Sequence, residues 1–164
     1  MIRQLPKNAS PMRAIRTVVS ALACYEPPEG QESLEEQAKR AIKLIAQVPV
    51  ITAYFHLARQ DKALPDSDPS LGEAANFLYL IDGKKPIEEK EKTIDMCYIL
   101  HADHGMNAST FSARVTIATL SGMYSAITSA IGTLKGPLHG GAHEGVIKML
   151  QEIGSLAKVD NFVD

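Results

Sequence analysis

Apolar positions recur every three or four residues along almost the whole chain. Met12, Ile15, Val18, Val19 and Leu22 form the first stripe, and Ser10 followed by Pro11 supplies an N-cap and a proline suited to the first helical position. The stripe ends near Tyr25, ahead of Pro27 and Pro28. Ser33 begins the next run, with Glu36 three residues later completing a capping box. Leu34, Ala38, Ala41, Ile42, Ile45 and Val48 continue it. Pro49 predicts a kink, after which Ile51, Phe55 and Leu57 carry the pattern to about Arg59.

The same period governs the remainder. Residues 61–69 read as a polar, proline-containing loop. Ser70 predicts the cap of a short helix ending at Asp82 and Gly83. Pro86 opens a longer helix, acidic in its first turns, that carries Ile94, Cys97, Tyr98 and Leu100 to a pair of histidines. Two helices follow, at about 108–120 and 123–134, separated near Gly122. The last runs from Pro137 to about Ile153, with Gly154 as its stop. No segment shows the period-two alternation of a strand, and no internal repeat is present. The expected fold class is all-α: a multi-helical array of six to eight helices.

Composition narrows the classes. A chain of 164 residues with 45% hydrophobic residues can bury a real core. The net charge of −2, with acids and bases interspersed, argues against a nucleic-acid footprint and a polybasic membrane patch. Residues 115–134 carry no charge and are long enough to span a bilayer, but they are rich in Ser, Thr, Ala and Gly. A buried, closely packed helix pair fits them better than a membrane span. Cys24 and Cys97 fall on apolar helix faces and read as buried, reduced thiols of a cytoplasmic protein. The N-terminus lacks the apolar core of a secretory signal.

The stretch from Gly136 to Glu144 has the most chemical content. Gly136 suits an N-cap and Pro137 a first helical position, which places His139 in the first helical turn among free N–H groups. The positive end of the helix dipole disfavours an imidazolium there. A neutral imidazole can donate to a carbonyl and stabilise the enolate formed when the neighbouring carbon loses a proton. Gly140 and Gly141 would let a ligand or another backbone come close. The plainer alternative is a Gly-Pro turn with a capped histidine.

His101, Asp103, His104 and Asn107 gather at the end of the preceding helix. The dipole there favours a protonated or donating His104, and with Asn107 it could receive a carboxylate or carbonyl oxygen. The plainer alternative is a histidine that caps the last carbonyls. A metal site is the rival functional reading, because His101 and His104 are three apart and His139 and His143 four apart. The spacing matches no zinc signature, since Glu144 follows the second histidine rather than the first. No metal ligand is therefore assigned.

Taken together, the segment His101 to Arg114 and the segment Gly136 to Ala142 resemble citrate synthase and its relative 2-methylcitrate synthase. The likeness extends to residues 10–22, 38–55 and 75–80, and so covers essentially the whole chain. It implies the central part of the large helical domain of such an enzyme over residues 1–164, without the small domain. It implies that His139 polarises the acetyl-CoA thioester carbonyl, that His104 contacts oxaloacetate, and that His101 and Asn107 support that pocket. Leu138 and Gly140, beside His139, would meet the coenzyme A substrate. No bound cofactor is implied; acetyl-CoA is a co-substrate, oxaloacetate the other substrate, and a homodimer the expected assembly. The resemblance also implies a second loop histidine, an aspartate base and carboxylate-binding arginines, for which this chain offers no matching positions. One departure stands out: the usual Gly-Gly-Ala-Asn-Glu reads Gly140, Gly141, Ala142, His143, Glu144 here. A helical dimerisation protein of the same fold without catalysis is the competing reading.

Overall fold

The computed structural model describes residues 1–27 and 32–163. Eight α-helices are present among them: α1 (Pro11–Leu22), α2 (Leu34–Ala58), α3 (Glu73–Asp82), α4 (Glu88–His101), α5 (Ala108–Ile117), α6 (Met123–Leu134), α7 (Ala142–Ile153) and α8 (Val159–Val163). Short 3-10 turns precede α1, extend it through Tyr25 and precede α8. There is no strand among the described residues. The all-α expectation holds. Pro28, one of the two prolines expected to end the first helical region, lies outside the described residues.

The core forms where α1, α2 and α6 meet. Ile15, Val18 and Val19 from α1 pack with Leu44 and Ile51 from α2 and with Tyr124 and Ile131 from α6. Val19 is fully buried, at 0% exposure. The α5–α6 pair makes the most extensive helix contact in the chain. Small residues permit it, and the Ser112 and Ser129 hydroxyls hydrogen-bond across it at 2.6 Å. On the other side of the core, α3 packs on α2 and α4 on α3.

Local chemistry explains several boundaries. Ser33 caps α2 with the expected box: its Oγ accepts from the Glu36 amide at 3.3 Å, and the Ser33 amide donates to the Glu36 carboxylate at 2.7 Å. Gly83 and Gly154 end α3 and α7 in left-handed conformations, φ 72° and 68°. Gly122, at φ 90°, divides α5 from α6 after Leu120 has itself turned to φ 61°. Residues 115–134 are therefore two short helices with a break. By length and composition α2 is apolar enough to cross a membrane, but Leu44, Ile51, Phe55 and Leu57 face the protein core.

Helix α2 continues through Pro49 as one element. Other expectations need correction. Ser70 does not cap α3, which starts at Glu73 after Gly72; its amide and hydroxyl instead bond Asp68 Oδ1 at 2.9 and 2.6 Å. An Asx turn thus takes the serine that the pattern offered as a cap. Helix α4 begins at Glu88, two residues past Pro86. Cys24 and Cys97 are free but exposed, not buried. Leu34, Ile42 and Ile45 are also exposed, whereas Leu44 is the buried residue there.

Candidate active site

The first turn of α5 and the turn between α6 and α7 form the site. Asn107 caps α5, its Oδ1 accepting from the Thr110 amide at 2.9 Å. That cap fixes the helix start and with it Ser109, two residues on. Ser109 Oγ lies 2.5 Å from His139 Nε2, thirty residues away in sequence. Both residues are half-buried.

The contact pairs a hydroxyl with a ring nitrogen, and which of the two donates depends on the tautomer of His139. A serine hydroxyl can donate to an unprotonated Nε2, which leaves the proton of a neutral imidazole on Nδ1. His139 Nδ1–H is then a directed donor for a ligand oxygen. Sequence reasoning passed over Ser109 as part of a helix start. Its only signal was position: a hydroxyl just after an N-cap, close to a histidine motif.

The geometry around His139 differs from the expectation. Helix α7 starts at Ala142, so Pro137 is not at its first position and His139 precedes it by three residues. Residues 136–141 form successive tight turns instead. The His139 amide donates to Gly136 O at 3.0 Å, and the Gly141 amide donates to Leu134 O and Gly136 O, both at 3.1 Å. A helix beginning at Pro137 would carry two adjacent glycines near its start, at about 1 kcal/mol each relative to alanine. The turn folds back on the end of α6 and uses those glycines. A Cβ on Gly140 would lie 2.5 Å from the Leu134 side chain, and one on Gly141 would lie 2.7 Å from Gly136 O. The close approach they permit is therefore that of backbone. The ring in the first turn of α7 is that of His143, not His139.

The other candidate residues divide by role. His101 is the last residue of α4, and its Nδ1 donates back to Cys97 O at 2.7 Å. This is the capping role of the plainer alternative. His104 stands beyond the helix, exposed, in a loop shaped by the Gly105 amide donating to Asp103 Oδ1 at 2.9 Å. It makes no hydrogen bond among the described residues and is open to a ligand. Its place outside α4 weakens the dipole argument made for it. Asn107 spends its oxygen on the cap and keeps its amide N–H groups for another partner. Leu138 is fully exposed beside His139, and Gly140 is half-buried. Among the described residues, no three His, Cys, Asp or Glu side chains are grouped to hold a metal ion.

A sequence model of the citrate synthase C-terminal domain matches residues 1–164. The chain belongs to the citrate synthase family. It is 46% identical over 165 residues to a citrate synthase of Deinococcus radiodurans, covering 99% of this chain and 43% of that protein. It is 40% identical to a 2-methylcitrate synthase of Shewanella oneidensis over 93% of this chain and 40% of that one. Among solved structures it resembles the Thermoplasma acidophilum citrate synthase determined in ternary complex with carboxymethyl coenzyme A and oxaloacetate. That match has a TM-score of 0.84 at 32% identity and covers 98% of this chain and 42% of that one. The chain thus spans about two fifths of the length of these relatives.

Proposed function

We propose that this chain is the central part of the large helical domain of a citrate synthase-type acyltransferase, which condenses acetyl-CoA with oxaloacetate to citrate and coenzyme A. The observation that carries the proposal is the Ser109–His139 contact; with the serine hydroxyl as its donor, Nδ1–H of a neutral imidazole is free to donate. A carboxylate base, for which this chain offers no candidate, takes a proton from the acetyl carbon. His139 donates to the thioester oxygen as charge develops there, so the carbanion equivalent is held as an enol. The enol carbon attacks the keto carbon of oxaloacetate, the enol oxygen losing its proton to restore the thioester carbonyl as the keto oxygen gains one to become a hydroxyl; water then adds to that thioester, and coenzyme A leaves as the thiol. His104, with Asn107, receives oxaloacetate oxygens; Leu138 and Gly140 lie against coenzyme A. No bound cofactor takes part.

The test is coenzyme A release from acetyl-CoA plus oxaloacetate by the full-length enzyme containing this chain. His139→Ala is expected to lower kcat by about 10²–10³-fold, the cost of removing one directed oxyanion donor. Turnover unchanged by the substitution would refute the proposal. The 164-residue chain by itself is expected to be inactive. The Shewanella relative supports a second reading, propionyl-CoA as the acyl donor, which the same assay separates by relative kcat/KM. The two unpaired cysteines support a reducing, cytoplasmic setting.

A further inference from the structure

The turn carrying His139 is held on only one side by tertiary structure. Its entry is packed onto α6, and the His139 ring reaches α5 through Ser109. Its exit leads into α7, which packs extensively on no other element among the described residues. Val146, Ile147 and Leu150 on that helix are exposed. Gly141 and Glu144 line a shallow pocket with Ser10 and Arg13 at the start of α1, and the remaining ties at the exit are local.

His143 supplies a local tie. Its Nδ1 lies 3.0 Å from Gly140 O, and its backbone amide donates to the same oxygen at 3.1 Å. We infer that His143 is a positioning residue: its ring fastens the His139-bearing turn to the first turn of α7. The inference rests on the reading of His139 as the proton donor.

A carbonyl oxygen can only accept, so His143 Nδ1 must carry a proton in this contact. The neutral ring is held as the Nδ1–H tautomer, and its Nε2 lone pair is left to solvent. Protonating Nε2 does not remove the donor, so the tie persists in both charge states. The bond immobilises the Gly140–Gly141 peptide group, one residue beyond His139, because the acceptor is the Gly140 carbonyl. Gly140 and Gly141 have no side chains to restrain the backbone themselves. An asparagine at 143 could donate to the same oxygen with its amide, whereas alanine could not.

Two measurements on the full-length enzyme containing this chain, with its histidines labelled, test this. Two-bond nitrogen–proton NMR spectra report the tautomer of each ring, and amide hydrogen exchange reports the turn. Neutral His143 is expected as the Nδ1–H form. His143→Ala is expected to speed exchange at the Gly141 and Ala142 amides about two- to tenfold, the loss of one exposed hydrogen bond, and to shift the His139 ring resonances. His143→Asn is expected to restore both, while α5 and α6 amides stay unchanged in either variant as the control for folding. An Nε2–H tautomer for neutral His143 would overturn the inference. So would unchanged exchange and His139 resonances in His143→Ala, or failure of His143→Asn to restore them. None of these readouts depends on turnover. In the full-length enzyme, His143→Ala should lower kcat without raising KM for oxaloacetate. Activity surviving His139→Ala would strike the functional reading alone.

Discussion

His139 is placed by a serine on another helix. Imidazole has two nitrogens, and only the partner of one decides what the other can do. When Ser109 donates to Nε2, Nδ1 of the neutral ring is the donor. Ser109→Ala should leave His139 free to rotate and to hold either tautomer. Its kcat is expected to fall about tenfold, less than for His139→Ala, because the ring itself remains. Steady-state kinetics with both variants would check the order. A second pair ties the end of the α1 region to α2. Glu26 bonds Lys43, and this contact holds the Glu26 carboxyl below the ordinary carboxylate range despite some opposing burial. A folded-state pKa that is lowered contributes stability above the ordinary range and loses it as pH falls through the lowered value. The stability difference between the native chain and Glu26→Gln should therefore shrink on acidification. Urea denaturation at neutral pH and near pH 3 would show it.

Among the helices, α2 illustrates how pattern and packing share the work. Its start was legible because a capping box depends on residues three apart and on nothing distant. Ser33→Ala should cost about 1 kcal/mol in urea denaturation, since it frees the Glu36 amide and unmakes the reciprocal bond. The face of α2 was less legible. Its apolar stripe is broad, and only the neighbours α1 and α6 select Leu44 over Ile42 and Ile45 for burial. Helix α7 makes the complementary point. Its end at Gly154 follows from one left-handed residue, but its start moved from Pro137 to Ala142. The end of α6 draws the glycines of the preceding turn onto itself, and a local pattern cannot register that attraction.

The assembled chain leaves much apolar surface uncovered. Phe111, Val115, Ile117 and Leu120 on and after α5, and Met96, Ile99 and Leu100 on α4, are all exposed. Exposed apolar side chains in such number mark surfaces built to meet other protein. The chain alone is expected to self-associate at micromolar concentration, and replacing Phe111 and Val115 with glutamate should reduce it. Sedimentation velocity on both forms would decide; a monodisperse monomer for the native chain would contradict the expected homodimer.

Helical period, capping residues and the glycine stops lie in residues at most a few positions apart, so the all-α class, most helix boundaries and the histidine motifs could be read without coordinates. His139, His104 and Asn107 were readable as candidates for the same reason. Ser109 was not: its contact with His139 spans thirty residues and exists only because α5 and α6 pack closely enough for one hydroxyl to reach the turn after α6. The exposure of Cys24 and Cys97, the buried face of α2 and the unwinding of residues 136–141 share that origin. Each depends on which surfaces meet, and long-range packing outweighs local preferences worth about 1 kcal/mol per residue or less.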